Sequence, residues 1–287
     1  MTYHSPPAVY AAQLQLNTTD LRRSVEFYTD VVGFRVLWQD ENNAELTADG
    51  KGAILSLFQP TDVIPKPGKT TGLYHFALRL PQRSDLANFA VHLVQDRIRF
   101  GAADHLVSEA IYFEDPDGNG IEVYVDTDPA AWKWDSQSVS MDTLPLDFDD
   151  LLRSKGSVDQ PWTGLPEDTI LGHIHLHVSS LREAERFYTA GLGFEVVMRF
   201  RDSALFLSTA KYHHHIAVNT WNGVGAPRPP KHSAGLDFFT LAIPSEDRLQ
   251  EVTASLERIG ASVKESPSGF AVEDPAGNTI VLAVIGS

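Results

Sequence analysis

Asp20-Leu-Arg-Arg-Ser-Val-Glu-Phe-Tyr-Thr-Asp-Val-Val-Gly-Phe34 returns 160 residues later as Ser180-Leu-Arg-Glu-Ala-Glu-Arg-Phe-Tyr-Thr-Ala-Gly-Leu-Gly-Phe194. Self-similarity at a fixed offset marks a duplicated chain and has to be settled before any element is assigned. Two more pairs agree with it. Gly72-Leu-Tyr-His-Phe-Ala-Leu78 returns as Gly235-Leu-Asp-Phe-Phe-Thr-Leu241, and Asp115-Pro-Asp-Gly-Asn-Gly-Ile-Glu122 as Asp274-Pro-Ala-Gly-Asn-Thr-Ile-Val281. The offsets are 163 and 159, so the two halves are copies of one another.

Each half divides again. Around the first quoted stretch, module 1 (about 10–60) reads as a strand near Gln13 to Leu16, a helix with Leu21, Val25, Tyr28 and Val32 on one face, then strand-like runs ending at Ile54 to Phe58. Module 2 (about 72–127) repeats that order, with Ser84 as the expected helix cap and Asp115 to Asn119 as a hairpin turn. Module 3 (about 171–220) opens on the strand His173 to Val178, and Ser180 with Glu183 forms a capping box. Module 4 (about 235–285) places Leu249, Val252, Leu256 and Ile259 at helical spacing and stops at Gly260. The expectation is an α+β chain of four βαβββ modules in two domains, 10–127 and 170–285. The acidic linker between them, 128–169, has Trp132, Trp134, Phe148 and Trp162 to pin it to the surface.

The whole chain has 287 residues, and 43% of them are hydrophobic and 21% charged. Those figures are of an ordinary globular protein and exclude disorder, coiled coil and collagen. With 23 Lys and Arg against 38 Asp and Glu the net charge is −15, the wrong sign for a phosphate-backbone partner, so no nucleic acid is expected. There is no cysteine, which removes disulfides, thiolate metal sites and a Cys nucleophile. Any metal is held by nitrogen and oxygen. No signal-like N-terminus and no apolar run of membrane length occurs, so a cytoplasmic chain with no membrane partner is expected.

Histidine placement points to the chemistry. Of eleven histidines, modules 2 and 3 hold nine and modules 1 and 4 hold none. On the strand from Gly172 to Val178 the period of two puts His173, His175 and His177 on one face. Three buried imidazoles need a metal, a carboxylate or a polar ligand to satisfy them. The repeat sets His75 of module 2 where module 3 has His173, and module 2 ends on Glu122. Two His and one carboxylate on one face of an octahedral ion leave three positions open, which suits Fe(II), or alternatively Mn(II), binding a bidentate substrate and dioxygen. Zinc more often takes a closed, four-coordinate site. His175 and His177 read as pocket-lining or hydrogen-bonded residues, and Phe76, Trp221 and Phe239 as candidate pocket walls.

The tandem strand–helix–three-strand module, with Phe-Tyr-x-x-x-x-Gly-Phe after the helix, resembles the vicinal oxygen chelate superfamily over about 230 of the 287 residues. Within that superfamily, Asp104-His-Leu-Val-Ser-Glu-Ala-Ile-Tyr-Phe-Glu-Asp-Pro-Asp-Gly-Asn-Gly-Ile-Glu122 is similar to the signature of extradiol ring-cleaving dioxygenases. The chain as a whole, Tyr212-His-His-His-Ile-Ala-Val218 included, resembles the two-domain bacterial catechol 2,3-dioxygenases. The resemblance implies open barrels built from paired modules, with Glu122 as the metal carboxylate beside His75 and His173. It also implies that Tyr112 bonds a substrate oxygen, that His105 is a nearby acid, and that His214 sits beside bound dioxygen. His213 and His215 remain alternatives to His214, since a one-residue slip exchanges them.

In the two-domain relatives all three ligands come from the C-terminal half, whereas here module 4 offers Phe238 and Val281, and module 1 offers Gln13. Either module 2 pairs with module 3 around the metal while modules 1 and 4 form a metal-free partner, or a dimer brings the ligands together. The resemblance implies extradiol cleavage of a small aromatic diol with O2 to a muconic semialdehyde, in a chain expected to be a homo-oligomer. A glyoxalase-like isomerase or lyase, with a fourth protein ligand from Tyr212 to His215, is the alternative. A non-catalytic binder of a small aromatic or antibiotic is a further one.

Overall fold

Alternating polar and apolar residues along the first strand of each module decide which strands can share a sheet. In the computed structural model, which describes residues 3–154 and 162–284, all four modules run strand, helix, three strands. Module 1 comprises β1 (Tyr10–Asn17), α1 (Leu21–Phe27), β2 (Arg35–Gln39), β3 (Asn43–Thr47) and β4 (Leu55–Phe58). Module 2 comprises β5 (Gly72–Arg79), α2 (Arg83–Gln95), β6 (Gly101–Asp104), β7 (Ser108–Glu114) and β8 (Gly120–Asp126). The connecting stretch adds β9 (Trp134–Asp135), β10 (Ser138–Val139) and α3 (Phe148–Arg153). Module 3 comprises β11 (Ile170–His177), α4 (Leu181–Arg186), β12 (Glu195–Phe200), β13 (Ala204–Ser208) and β14 (Ile216–Asn219). Module 4 comprises β15 (Gly235–Ile243), α5 (Glu246–Arg258), β16 (Lys264–Ser266), β17 (Gly269–Glu273) and β18 (Thr279–Val284). Among the described residues no helix is long and apolar enough to cross a membrane. Residues 155–161 of the expected linker, and residue 285 at the end of the expected second domain, lie outside the described residues.

The modules pair across the halves. One eight-stranded sheet runs β16-β17-β18-β15-β1-β4-β3-β2 and so joins modules 4 and 1; the other runs β12-β13-β14-β11-β5-β8-β7-β6 and joins modules 3 and 2. The seams are antiparallel, β1 on β15 and β5 on β11, while each module's first strand pairs in parallel with its last. This is the first of the two arrangements the ligand positions demanded, and it needs no dimer. The apolar faces of the two sheets meet in one core, with Leu14, Leu16, Phe76, Leu78, Ile174, Leu176, Phe239 and Leu241 almost fully buried in it. Phe76 and Phe239 are therefore core residues rather than pocket walls, because they alternate with the residues on the hollow face of their strands.

The repeated motifs bind the modules the other way. Each repeated helix widens into a π-helical turn, Tyr28–Val32 and Phe187–Gly191, at the duplicated Phe-Tyr. The first turn closes on Gly33 at φ 94, where a Cβ would lie 2.8 Å from Gly164 Cα, so only glycine fits. Helix starts follow ordinary capping chemistry: Asp20, Ser180 and Ser245 accept from backbone N–H groups three residues on. The cap of α2 is Gln82 rather than Ser84, with the Gln82 N–H donating to Asp85 Oδ2 at 3.1 Å. The aromatics of the connecting stretch dock as well. Trp132 packs with Val139, Val197 and Tyr212, Trp162 lies on Phe89 and stacks on His92, and Phe148 tilts against Phe100.

Candidate metal centre

The face of β5 and β11 turned away from the core bears His75, His173 and His175, and Glu122 stands beside them on β8. β11 contains a bulge between Leu171 and His173, and Gly172 occupies it. A Cβ there would lie 2.0 Å from the Tyr124 hydroxyl oxygen, so glycine lets the strand approach that ring and sets the aim of the next residue, His173. His75 Nε2 and His173 Nε2 lie 3.0 and 3.1 Å from the same oxygen, Glu122 Oε2, and 3.3 Å from one another. All three residues are buried, and they form the one such cluster of three ligating side chains among the described residues.

The spacing fits a cation. Donors bound at about 2.1 Å and at right angles lie about 3.0 Å apart, which is the edge of an octahedral face. Without a cation two imidazoles crowd a single carboxylate oxygen. Burial works to raise the Glu122 pKa, but His173 and His75 outweigh it and hold the carboxyl well below the ordinary range. Burial lowers His173 to about 4, so its ring is neutral and available for ligation at neutral pH. Two imidazoles and one carboxylate, with no sulfur, are the donor set of a three-coordinate protein face that leaves room for other ligands.

A cavity of about 410 Å³ opens against this cluster. Its polar wall includes His75, Glu122, Tyr112, His105, His175 and His214; its apolar wall includes Val107, Met141, Met198, Phe200, Phe206 and Trp221. Tyr112 lies opposite Glu122 in the β7–β8 ladder. His105 Nδ1 is 2.7 Å from the Asp142 carbonyl oxygen, which can only accept, so that nitrogen carries the proton and Nε2 accepts from the Tyr112 hydroxyl at 2.6 Å. Burial, and after it the charge of Glu122, raises the Tyr112 pKa well above its ordinary value, which keeps the phenol protonated.

Of the three consecutive histidines only His214 lines the cavity, with its ring centroid 4.1 Å from that of His173. His213 is wholly buried and turned to Asp126, its Nε2 2.8 Å from Oδ1, and His215 lies 2.9 Å from the Tyr3 carbonyl oxygen. Burial lowers the pKa of His214 and of His175 well below the usual imidazole value. His175 lines the cavity beside Trp221 while its Nε2 accepts from the Asn219 amide at 2.9 Å, and His177 is bonded to the Asn219 amide oxygen at 2.7 Å. Asp126 and Tyr124 escaped the reading of the sequence. Both alternate with Glu122 along β8, so a polar period of two over Glu122, Tyr124 and Asp126 was the available signal.

In the other sheet the matching positions hold no ligands. Gln13 donates its amide to Ser56 Oγ at 3.1 Å, and Phe238 pairs with Thr279 in the β15–β18 ladder.

The profile described as Glyoxalase/Bleomycin resistance protein/Dioxygenase superfamily matches residues 10–123 and again 170–282. The chain is 43% identical over 274 residues, 94% of its own length and 95% of the other's, to a Bacillus subtilis (strain 168) protein named catechol-2,3-dioxygenase. It is 29% identical over 121 residues to biphenyl-2,3-diol 1,2-dioxygenase 3 of Rhodococcus globerulus, covering 40% of this chain and 62% of that one. In fold, it superposes on a crystal structure from Bacillus subtilis with a TM-score of 0.66 at 11% identity, over 96% of this chain and 84% of that one. It superposes on maize glyoxalase I with a TM-score of 0.58 at 16% identity, over 96% and 92%.

Proposed function

The chain belongs to the glyoxalase/bleomycin resistance protein/dioxygenase superfamily, and within it we propose an extradiol catechol dioxygenase that uses Fe(II), or alternatively Mn(II), held by His75, His173 and Glu122. The observation that carries this reading is the cluster itself: three donors 3.0 to 3.3 Å apart, two of which, on His75 and Glu122, line a cavity sized for a small aromatic. Likeness over nearly the full length of a catechol-2,3-dioxygenase supports it. An isomerase reading asks for a fourth protein ligand, and the cluster takes in no further described His, Asp or Glu.

A divalent metal held by His75, His173 and Glu122 would supply Lewis-acid chemistry that acidifies the diol and a redox route between the ring and dioxygen. The protein does the rest. Phe206, Trp221 and the two methionines enclose the ring and exclude water. Tyr112, held by His105, presents its hydroxyl oxygen to the diol, and the pair stands ready to hand over a proton when the ring opens. His214 faces the cavity next to His173, where it can stabilise charge developing on oxygen.

The experiment is anaerobic reconstitution with Fe(II), then catechol and air, beside a His173→Ala sample. A yellow semialdehyde that the variant fails to make is the expected outcome; metal uptake without colour from any catechol tested would sink the reading.

A further inference from the structure

His213 and Asp126 lie behind His214, away from the cavity and on different modules, yet they form a continuous line of hydrogen bonds to it. Asp126 is almost enclosed and surrounded by donors: the Tyr212 hydroxyl at 2.9 Å, an Arg79 guanidinium nitrogen at 3.4 Å and His213 Nε2 at 2.8 Å. The Tyr212 hydroxyl is itself met by that of Tyr124 at 2.6 Å, so it is free to donate toward Asp126. An ionised carboxylate can only accept, so His213 Nε2 carries a proton. If that is the ring's one proton, a lone pair is left on His213 Nδ1. That atom lies 2.9 Å from His214 Nδ1, and the hydrogen between them therefore belongs to His214. By the same count His214 Nε2, the ring's other nitrogen, bears no hydrogen.

We propose that Asp126 and His213 are positioning residues that lock His214 in the tautomer with a protonated Nδ1 and a bare Nε2 toward the cavity. The proposal rests on reading the cavity as a diol site. In that tautomer His214 donates Nδ1–H to His213, whose own N–H meets Asp126, so the nitrogens and the carboxylate along the line are paired. With the opposite tautomer Nε2–H would face the diol and could donate only.

Ring nitrogens of the metal-free full chain, labelled with 15N-histidine, would be read by long-range 1H–15N correlation, the His214 signals being those lost in His214→Gln. A protonated Nδ1 and an unprotonated Nε2 are expected; a protonated Nε2 overturns the proposal. In the Fe(II) enzyme, His213→Leu and Asp126→Asn should lower kcat by about 10²-fold while KM for catechol stays within about twofold. His213→Asn, whose amide oxygen stands near the old Nδ1 and can accept from His214, should recover part of the His213→Leu loss. Unchanged kcat in both His213→Leu and Asp126→Asn, or equal losses in His213→Leu and His213→Asn, would overturn it. The expected tautomer in a wild-type chain that opens no catechol ring would leave the locked His214 standing and remove the dioxygenase reading instead.

Discussion

Tyr28 and Asp115, 87 residues apart and in different modules, are joined by a fully buried hydrogen bond of 2.8 Å, and Tyr188 with Asp274 repeats it at 3.1 Å. The most conspicuous repeated motifs of the chain, the Phe-Tyr after each helix and the Asp-Pro turn, are thus two halves of one joint. Each aspartate also closes its own turn, accepting from the backbone and side chain of the asparagine four residues on. Sheets tie module 1 to 4 and 2 to 3, and these joints tie 1 to 2 and 3 to 4.

Tyr28→Phe should therefore cost about 2 kcal/mol of stability, since it takes one donor from a buried carboxylate without opening a cavity. Turnover at saturating catechol should not change. Urea denaturation beside steady-state kinetics separates the two effects, and a lowered kcat in a well-folded variant would count against a purely architectural joint.

Metal content should be one equivalent per chain, because the sheet of modules 1 and 4 offers Gln13, Phe238 and Val281 where ligands would stand. Free metal at about a hundred times its Kd should stabilise the fold by about 2.7 kcal/mol, or about 5 °C in Tm. His173→Ala should lose both the bound metal and the shift. Elemental analysis and thermal melts with and without chelator check this.

Acid should weaken the metal-free protein from about pH 6.5 downward. His173 is held to about 4 by burial, so between 6.5 and 4 the unfolded chain takes up a proton that the folded one refuses. The loss through this residue amounts to at most about 3 kcal/mol at the acid end. Below about 4.5 the Glu122 carboxyl, depressed in the folded state, adds to the decline. Urea midpoints of chelator-treated protein from pH 7.5 to 4.5 should fall, and His173→Asn should flatten the upper part of that fall.

Tyr112→Phe keeps the ring and removes only the hydroxyl that bonds His105 Nε2 at 2.6 Å. We expect about 10²-fold loss of kcat with a stability change of about 1 kcal/mol. A variant of wild-type activity would show that the His105–Tyr112 pair merely packs.

The modular fold was legible because duplication repeats a pattern four times, and four weak signals of strand and helix order make one strong one. That His75, Glu122 and His173 meet was legible from what modules 1 and 4 lack. The helix start at Gln82 was missed because a nearby serine offered a better cap by residue type, whereas the reciprocal bonding of Gln82 with Asp85 starts the helix earlier. Phe76 and Phe239 were misjudged for a related reason: composition says they are buried, but only the register of their strands says on which face. Asp126 went unnoticed as a lone carboxylate at a strand end. Its partner His213 is 87 residues away, and nothing local announces the bond.

Cross-pairing of the modules also governs how the chain can be made. Strand β1 pairs Leu14 with Phe239, and β5 pairs His75 with His175, so neither sheet can close along its seam while only the first half has been synthesised. At about 5–20 residues per second, the open edge of β1 waits for its partner for many seconds after leaving the ribosome. Contacts this distant in sequence also make for slow folding once the chain is free. The two-sheet arrangement that gathers His75, Glu122 and His173 from both halves thus leaves the nascent first half with exposed strand edges, a stage at which aggregation competes with folding and at which chaperones would meet it.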